Sequence, residues 1–168
     1  MTRASAKDVA AIVSAAGELV GRTRLQKTAV MLELTGLGFG FSFDYHLFGP
    51  FSEDLVVSTE RATALGYVVE DSKRASWGGF YSIFRAEKKT SGDPARDEII
   101  KIAKEADSIV LELAATAAFL VSEHVEDPWA EVAARKPEKI TRSRLAQAKD
   151  LYKRFAAVET PVRLPKLG

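Results

Sequence analysis

The chain has 168 residues, 46% apolar and 28% charged, which suffices for a domain whose core buries roughly two-thirds of the unfolded surface and argues against wholesale disorder. A net charge of only +1 and the absence of cysteine exclude disulfide scaffolds, thiolate metal sites and cysteine nucleophiles. The longest apolar stretch, 109–121, contains Glu112 and falls short of the roughly 20 residues that span a bilayer; with no signal-peptide pattern at the start, a soluble cytoplasmic protein is expected.

Ser5 and Asp8 form a capping-box pattern, and Val9, Ile12, Val13, Ala16 and Val20 follow at helical spacing, which predicts a first helix over about 5–20. Thr23 with Gln26 repeats the start signal after Gly21, and Leu25, Ala29 and Leu32 mark one face of a second helix ending near Gly36. From Leu37 to Leu47 the period changes to two. Phe39, Phe41, Phe43 and Tyr45 alternate with small or polar residues, as in a strand with one apolar face. Ser52 caps a third helix carrying Glu53 and Asp54 at its start and reaching Gly66. Residues 67–71, a Trp77-Gly78-Gly79 turn and residues 80–86 read as a β-hairpin. Asp93-Pro94 opens a helical half, in which 108–124 either continues the first helix or restarts it. Asp127-Pro128 starts a short helix and Thr141 a last one, with Leu145, Ala148, Tyr152 and Phe155 as its buried stripe.

These elements predict an α+β, mostly helical fold: a winged-helix-like N-terminal half of helix, helix, strand, helix and β-hairpin, packed on a C-terminal helical bundle. The halves are 1–89 and 93–157 of a single compact domain, and 158–168 is an extended tail with two prolines.

Three stretches carry a resemblance. The run 21–27 (Gly-Arg-Thr-Arg-Leu-Gln-Lys), then 48–55 (Phe-Gly-Pro-Phe-Ser-Glu-Asp-Leu) and 64–70 (Ala-Leu-Gly-Tyr-Val-Val-Glu) resemble YwgA-like bacterial proteins and the related Panacea domain of SocA-like antitoxins. Residues 111–115 and Lys136-Pro137 fit the YwgA-like pattern, so the resemblance runs through most of the chain; Phe48, Phe51 and Met31-Leu32 depart from Panacea sequences and favour the YwgA-like branch. The resemblance implies a helix-rich, winged-helix-like module and, for Panacea domains, an antitoxin or proteolytic adaptor that binds a toxin directly.

The charge is unevenly placed. Residues 1–40 carry net +2, residues 41–131 carry −8 and residues 132–168 carry +7. A winged helix bound to DNA would use Lys73 and Arg74 at the wing, with Arg85, Lys88 and Lys89 nearby; the basic stripe Arg142, Lys149 and Lys153 on the last helix reads first as a solvated outer face and otherwise as a surface for nucleic acid or an acidic toxin. Two features oppose this. If 39–47 is the strand that a winged helix keeps between its first two helices, only 52–65 remains before the wing, one helix too few, and that helix has Glu53, Asp54 and Glu60 against Arg61. Protein recognition is therefore expected ahead of DNA binding. Its candidate contacts are Arg22, Arg24 and Lys27 at the start of the second helix, where backbone donors add to the positive charge, and Phe48, Phe51 and Trp77 on turns. Glu112, alone among apolar residues, is expected to pair internally with Lys27 or Arg24. No catalytic residue, metal site or cofactor is expected: the only histidines, His46 and His124, lie far apart in the sequence, and Gly36-Leu-Gly-Phe-Gly40 runs from helix to strand, the reverse of a phosphate loop.

Overall fold

The computed structural model describes residues 3–47 and 49–167. Helix α1 (Ala6–Ala16) starts at the expected capping box, in which the Asp8 carboxylate accepts the Ser5 N–H at 2.7 Å. It stops at Gly17, four residues earlier than the periodicity suggests. The chain then forms a three-residue strand β1 (Glu18–Val20) before α2 (Arg22–Leu34). Gly21 is the N-cap of α2, so Thr23 and Gln26 do not form a capping box.

The aromatic run after α2 is mostly not a strand. Only β2 (Asp44–His46) pairs, and it pairs with β3 (Gly49–Phe51) in a two-stranded ribbon. Upstream, the Glu33 carboxylate accepts the N–H groups of Phe39 and Gly40 at 2.9 and 3.1 Å, which holds the chain in a loop. Phe41 is buried and Phe39, Phe43 and Tyr45 are half-buried, so the alternation records one side packed on the core without a ladder partner. Helix α3 (Glu53–Ala64) follows, with Ser52 Oγ accepting the Leu55 N–H at 3.1 Å. Such a cap contributes about 1 kcal/mol.

Strands β4 (Val69–Arg74) and β5 (Phe80–Arg85) form the hairpin, and β5 also pairs with β1, giving sheet order β1, β5, β4. All three are antiparallel, with Leu19 opposite Phe84 and Glu70 opposite Phe84 on the other side. The strand between the first two helices is thus β1 rather than the aromatic run, and both α2 and α3 precede the hairpin. With the β2–β3 ribbon inserted between α2 and α3, the order α1, β1, α2, α3, β4, β5 is winged-helix-like, and two helices rather than one stand between the strand and the hairpin.

The second half contains α4 (Pro94–Glu105), α5 (Ser108–Ser122), α6 (Pro128–Arg135) and α7 (Arg142–Ala157). Asp107 ends the ambiguity over 108–124. Its carboxylate accepts from Ile109 and Val110, so α5 is a fresh helix. Residues Val110 to Leu120 of α5 are all buried, as are Leu25 to Leu32 of α2. A helix covered on every side lies in the middle of the protein. These two pack on each other; α4 flanks α2 and α1 packs on α3 and α4, while α6 and α7 flank α5. The tail folds back: the Val162 N–H donates to Thr35 at 3.0 Å, and the Tyr152 hydroxyl donates to the Pro165 carbonyl. Gly36, at φ +77°, makes room for it, because a Cβ there would sit 3.0 Å from Val162 Cγ2. Among the described residues no helix is long and apolar enough to cross a membrane.

Candidate functional site

The 21–27 and 48–55 motifs meet in space. Leu25 enters the core, and the two residues after it hold the turn that leads into α3. Gln26 Nε2 donates to the Ser52 carbonyl at 3.0 Å and Gln26 Oε1 accepts the Ser52 N–H at 2.9 Å. Lys27 Nζ donates to the Pro50 carbonyl at 2.7 Å. The start of α2 is thereby fixed to the start of α3 through backbone groups that would otherwise be buried without partners. Gly49 allows this approach. At φ +94°, its missing Cβ would lie 2.6 Å from Thr116 Oγ1, with Lys27 Nζ and Lys136 Nζ at 3.6 and 3.8 Å.

Behind this turn lies a cationic cluster. Glu112 is 4% exposed and accepts from Lys139 at 2.6 Å and Lys136 at 3.3 Å. The ion pair foreseen for Glu112 therefore exists with different partners. Lys27 is spent on Pro50, and Arg24 donates to the carbonyls of Val20, Ala103 and Ala106, closing the C-terminal end of α4. Three lysines share one carboxylate. Burial pushes the Lys27 ammonium down to about 8; Glu112 opposes that shift, and Lys136 and Lys139 reinforce it. Burial likewise lowers Lys136, with Glu112 again opposing. Every polar group here has a partner among the described residues, so the cluster is an internal brace.

The open feature is a groove between α2 and α3 that is closed at its floor by the hairpin. A cavity of about 290 Å³ is lined by Leu25, Phe51, Leu55, Val56, Thr59 and Phe84, with Arg22, Glu60 and Glu70 at its rim. Arg22 bridges the mouth: its guanidinium donates to Glu70 at 2.9 Å and to Ser82 Oγ at 3.4 Å. Against desolvation, which pushes it upward, the hydrogen bonds from Ser82 and Arg22 hold the Glu70 carboxyl below its usual range. A second cavity shares Arg22 and Thr23 with the first and is lined otherwise by Ser72, Phe80, Tyr81 and Ser82.

Of the expected contacts, Arg22 and Phe51 are brought together at this groove and Lys27 also lines it, whereas Arg24 is turned inward. Trp77 stands 75% exposed at the hairpin tip, away from the cavity. Phe48 lies outside the described residues. Lys73 and Arg74 are exposed on β4; Arg85 is held between Glu18 and Asp71, and Lys88 donates to the Ala15 carbonyl. On α7, Arg142 and Lys153 are exposed but Lys149 is half-buried over the Trp129 ring at 6.0 Å, so the stripe is not uniformly free. Gln26, Glu70, Lys136 and Lys139 were not foreseen as site residues. The 21–27, 64–70 and Lys136-Pro137 motifs contained three of them, but nothing local marks those side chains as part of a site.

The exposed face of α3 is acidic: Glu53 and Glu60 stand outward with Val57 and Arg61. Among the described residues no group of three or more His, Asp or Glu side chains could hold a metal ion.

The uncharacterized protein YwgA of Bacillus subtilis (strain 168) is 31% identical over 70 residues; the match takes in 42% of this chain and 41% of that protein. No family model matches the sequence. No solved structure matches it either.

Proposed function

We propose that this chain is a recognition module without catalytic chemistry, which binds a partner protein in the manner of an antitoxin or adaptor through the groove between α2 and α3. The occupant is a segment with an apolar anchor and flanking basic residues. The observation that carries this is the charge of α3: an apolar cleft of about 290 Å³ is edged by its Glu60, beside the paired Arg22 and Glu70, and continues onto an outer face bearing Glu53. Phosphates are repelled by that face and a basic peptide is attracted. Anchor side chains in a desolvated pocket dominate most interfaces.

A second reading, a winged-helix DNA-binding regulator, is favoured by the order α1, β1, α2, α3, β4, β5 and by Lys73 and Arg74, which stand exposed on the hairpin. Affinity capture from native lysate, with and without nuclease, compares the wild type with Val56→Trp, which fills the cleft. A protein retained after nuclease and lost with Val56→Trp supports the peptide groove. Loss on nuclease treatment alone, with a steep dependence on salt, favours DNA.

A further inference from the structure

Strand β4 is an edge. It packs on β5 and on no other element to a comparable extent. The hydrogen-bond phase of the hairpin shows which of its backbone groups remain open. Ala75 N–H donates inward to Gly79, and the Ser82 carbonyl accepts from Gly21 on the β1 side, so Ser82 does not bond to Ser72 across the ladder. By the alternation of an antiparallel ladder, the N–H and C=O groups of Glu70, Ser72 and Arg74 point away from the sheet.

The sequence along this edge is Glu70-Asp71-Ser72-Lys73-Arg74, two acids and two bases about a serine. An edge protected only against aggregation needs charge of any arrangement. This order is complementary to its own reverse. We propose that β4 pairs antiparallel with β4 of a second copy of this chain, with Ser72 on the two-fold axis, to give one continuous six-stranded sheet. In that register Glu70 lies opposite the second copy's Arg74, Asp71 opposite its Lys73 and Ser72 opposite its own counterpart. The outward groups of Glu70, Ser72 and Arg74 then form the hydrogen-bonded pairs. The neighbouring register that preserves the faces, centred on Asp71, sets two aspartates against each other.

The charges are available for this pairing. Lys73 and Arg74 make no ion pair among the described residues, and the internal partners of the two acids use one oxygen each: Glu70 Oε2 accepts from Arg22 and Ser82, and Asp71 Oδ2 from Arg85. The same register lays the base of one hairpin, with Leu65, Tyr67 and Val69 exposed, alongside the tip of the other, where Trp77 and Phe80 are 75% and 68% exposed. Burial of such side chains supplies the apolar area that a charged edge lacks.

Sedimentation of the full chain across the micromolar range should give a concentration-dependent dimer. Lys73→Glu, which sets like charges opposite each other twice by symmetry, should weaken it about tenfold. Ser72→Pro removes an outward N–H and leaves the β4 to β5 ladder intact, so it should yield a folded monomer by circular dichroism. Because the chain has no cysteine, Ser72→Cys reports the register directly: mild oxidation should crosslink two copies faster than it does the exposed control Lys101→Cys. A wild type that stays monomeric, with Ser72→Cys crosslinking no faster than the control, overturns the proposal. So does a dimer that crosslinks through Asp71→Cys in preference, or one indifferent to Lys73→Glu.

Discussion

Gln26 grips Ser52 by both sides of its peptide, donating to the carbonyl at 3.0 Å and accepting from the N–H at 2.9 Å, while Ser52 Oγ caps α3 at 3.1 Å. One buried amide thus positions the helix that forms a wall of the groove. Gln26→Leu keeps the volume and leaves both Ser52 groups buried without partners. The expected loss is about 2 to 4 kcal/mol in urea unfolding, with a weaker far-ultraviolet helix signal from a frayed α3. A loss below about 0.5 kcal/mol would show that the clamp carries nothing.

Lys27 makes stability depend on pH. Its ammonium titrates at about 8 in the folded chain against 10.5 in the unfolded one, so between these values the unfolded state binds more protons. Stability is therefore lowest below pH 8 and rises as pH climbs from about 8 toward 10.5, by on the order of 3 kcal/mol for this group. Denaturation midpoints measured at pH 7 to 10 should increase, and Lys27→Met should remove most of the slope, with Lys136 keeping a remainder in the same direction.

The Glu112 carboxylate lies 3.3 Å from the Lys136 ammonium and 2.6 Å from that of Lys139. Glu112→Gln removes the buried carboxylate that faces the buried Lys27 and Lys136 ammonium groups, a loss of about 3 to 5 kcal/mol at neutral pH. Alkaline solution should restore part of this as Lys27, which burial brings down to about 8, loses its proton. Thermal melts of the variant at pH 7 and pH 9.5 test it, and equal deficits at both would contradict the electrostatic origin.

Tyr152 acts in the opposite sense at higher pH. Burial pushes its hydroxyl up to about 12 from an ordinary 10.0, so above pH 10 the folded chain keeps a proton that the unfolded chain releases, and stability falls. Tyr152→Phe should lose about 1 kcal/mol at pH 7, because the Pro165 carbonyl loses its donor, and should flatten that alkaline decline. Hydrogen exchange at the Val162 amide, bonded to Thr35, reports whether the tail has loosened.

Caps and periods made most of the helices legible. Asp93, Asp127 and Thr141 begin helices because each carries its own acceptor to the N–H groups two or three residues on, and that information is local. The aromatic run shows where local information misleads. Its alternation is real in burial, but a strand needs a neighbour, and Glu33 engages the N–H groups that would have joined one.

The candidate groove was visible only in part. Arg22 and Phe51 stood out by position and type, whereas Glu70 and Phe84 come from the hairpin and enter the site through its register with β1.

The sequence by itself determined the mostly helical α+β class, the succession of helices around a hairpin apart from the break before 108–124, and the acidic character of α3, since each follows from residues a few positions apart. Tertiary structure alone decided that β1 is a strand, that Glu112 answers Lys136 and Lys139 rather than Lys27, and that Gln26 clasps Ser52. A three-residue strand has too few positions to show a period, and a buried charge takes whichever opposite charge the packing of distant helices brings within reach.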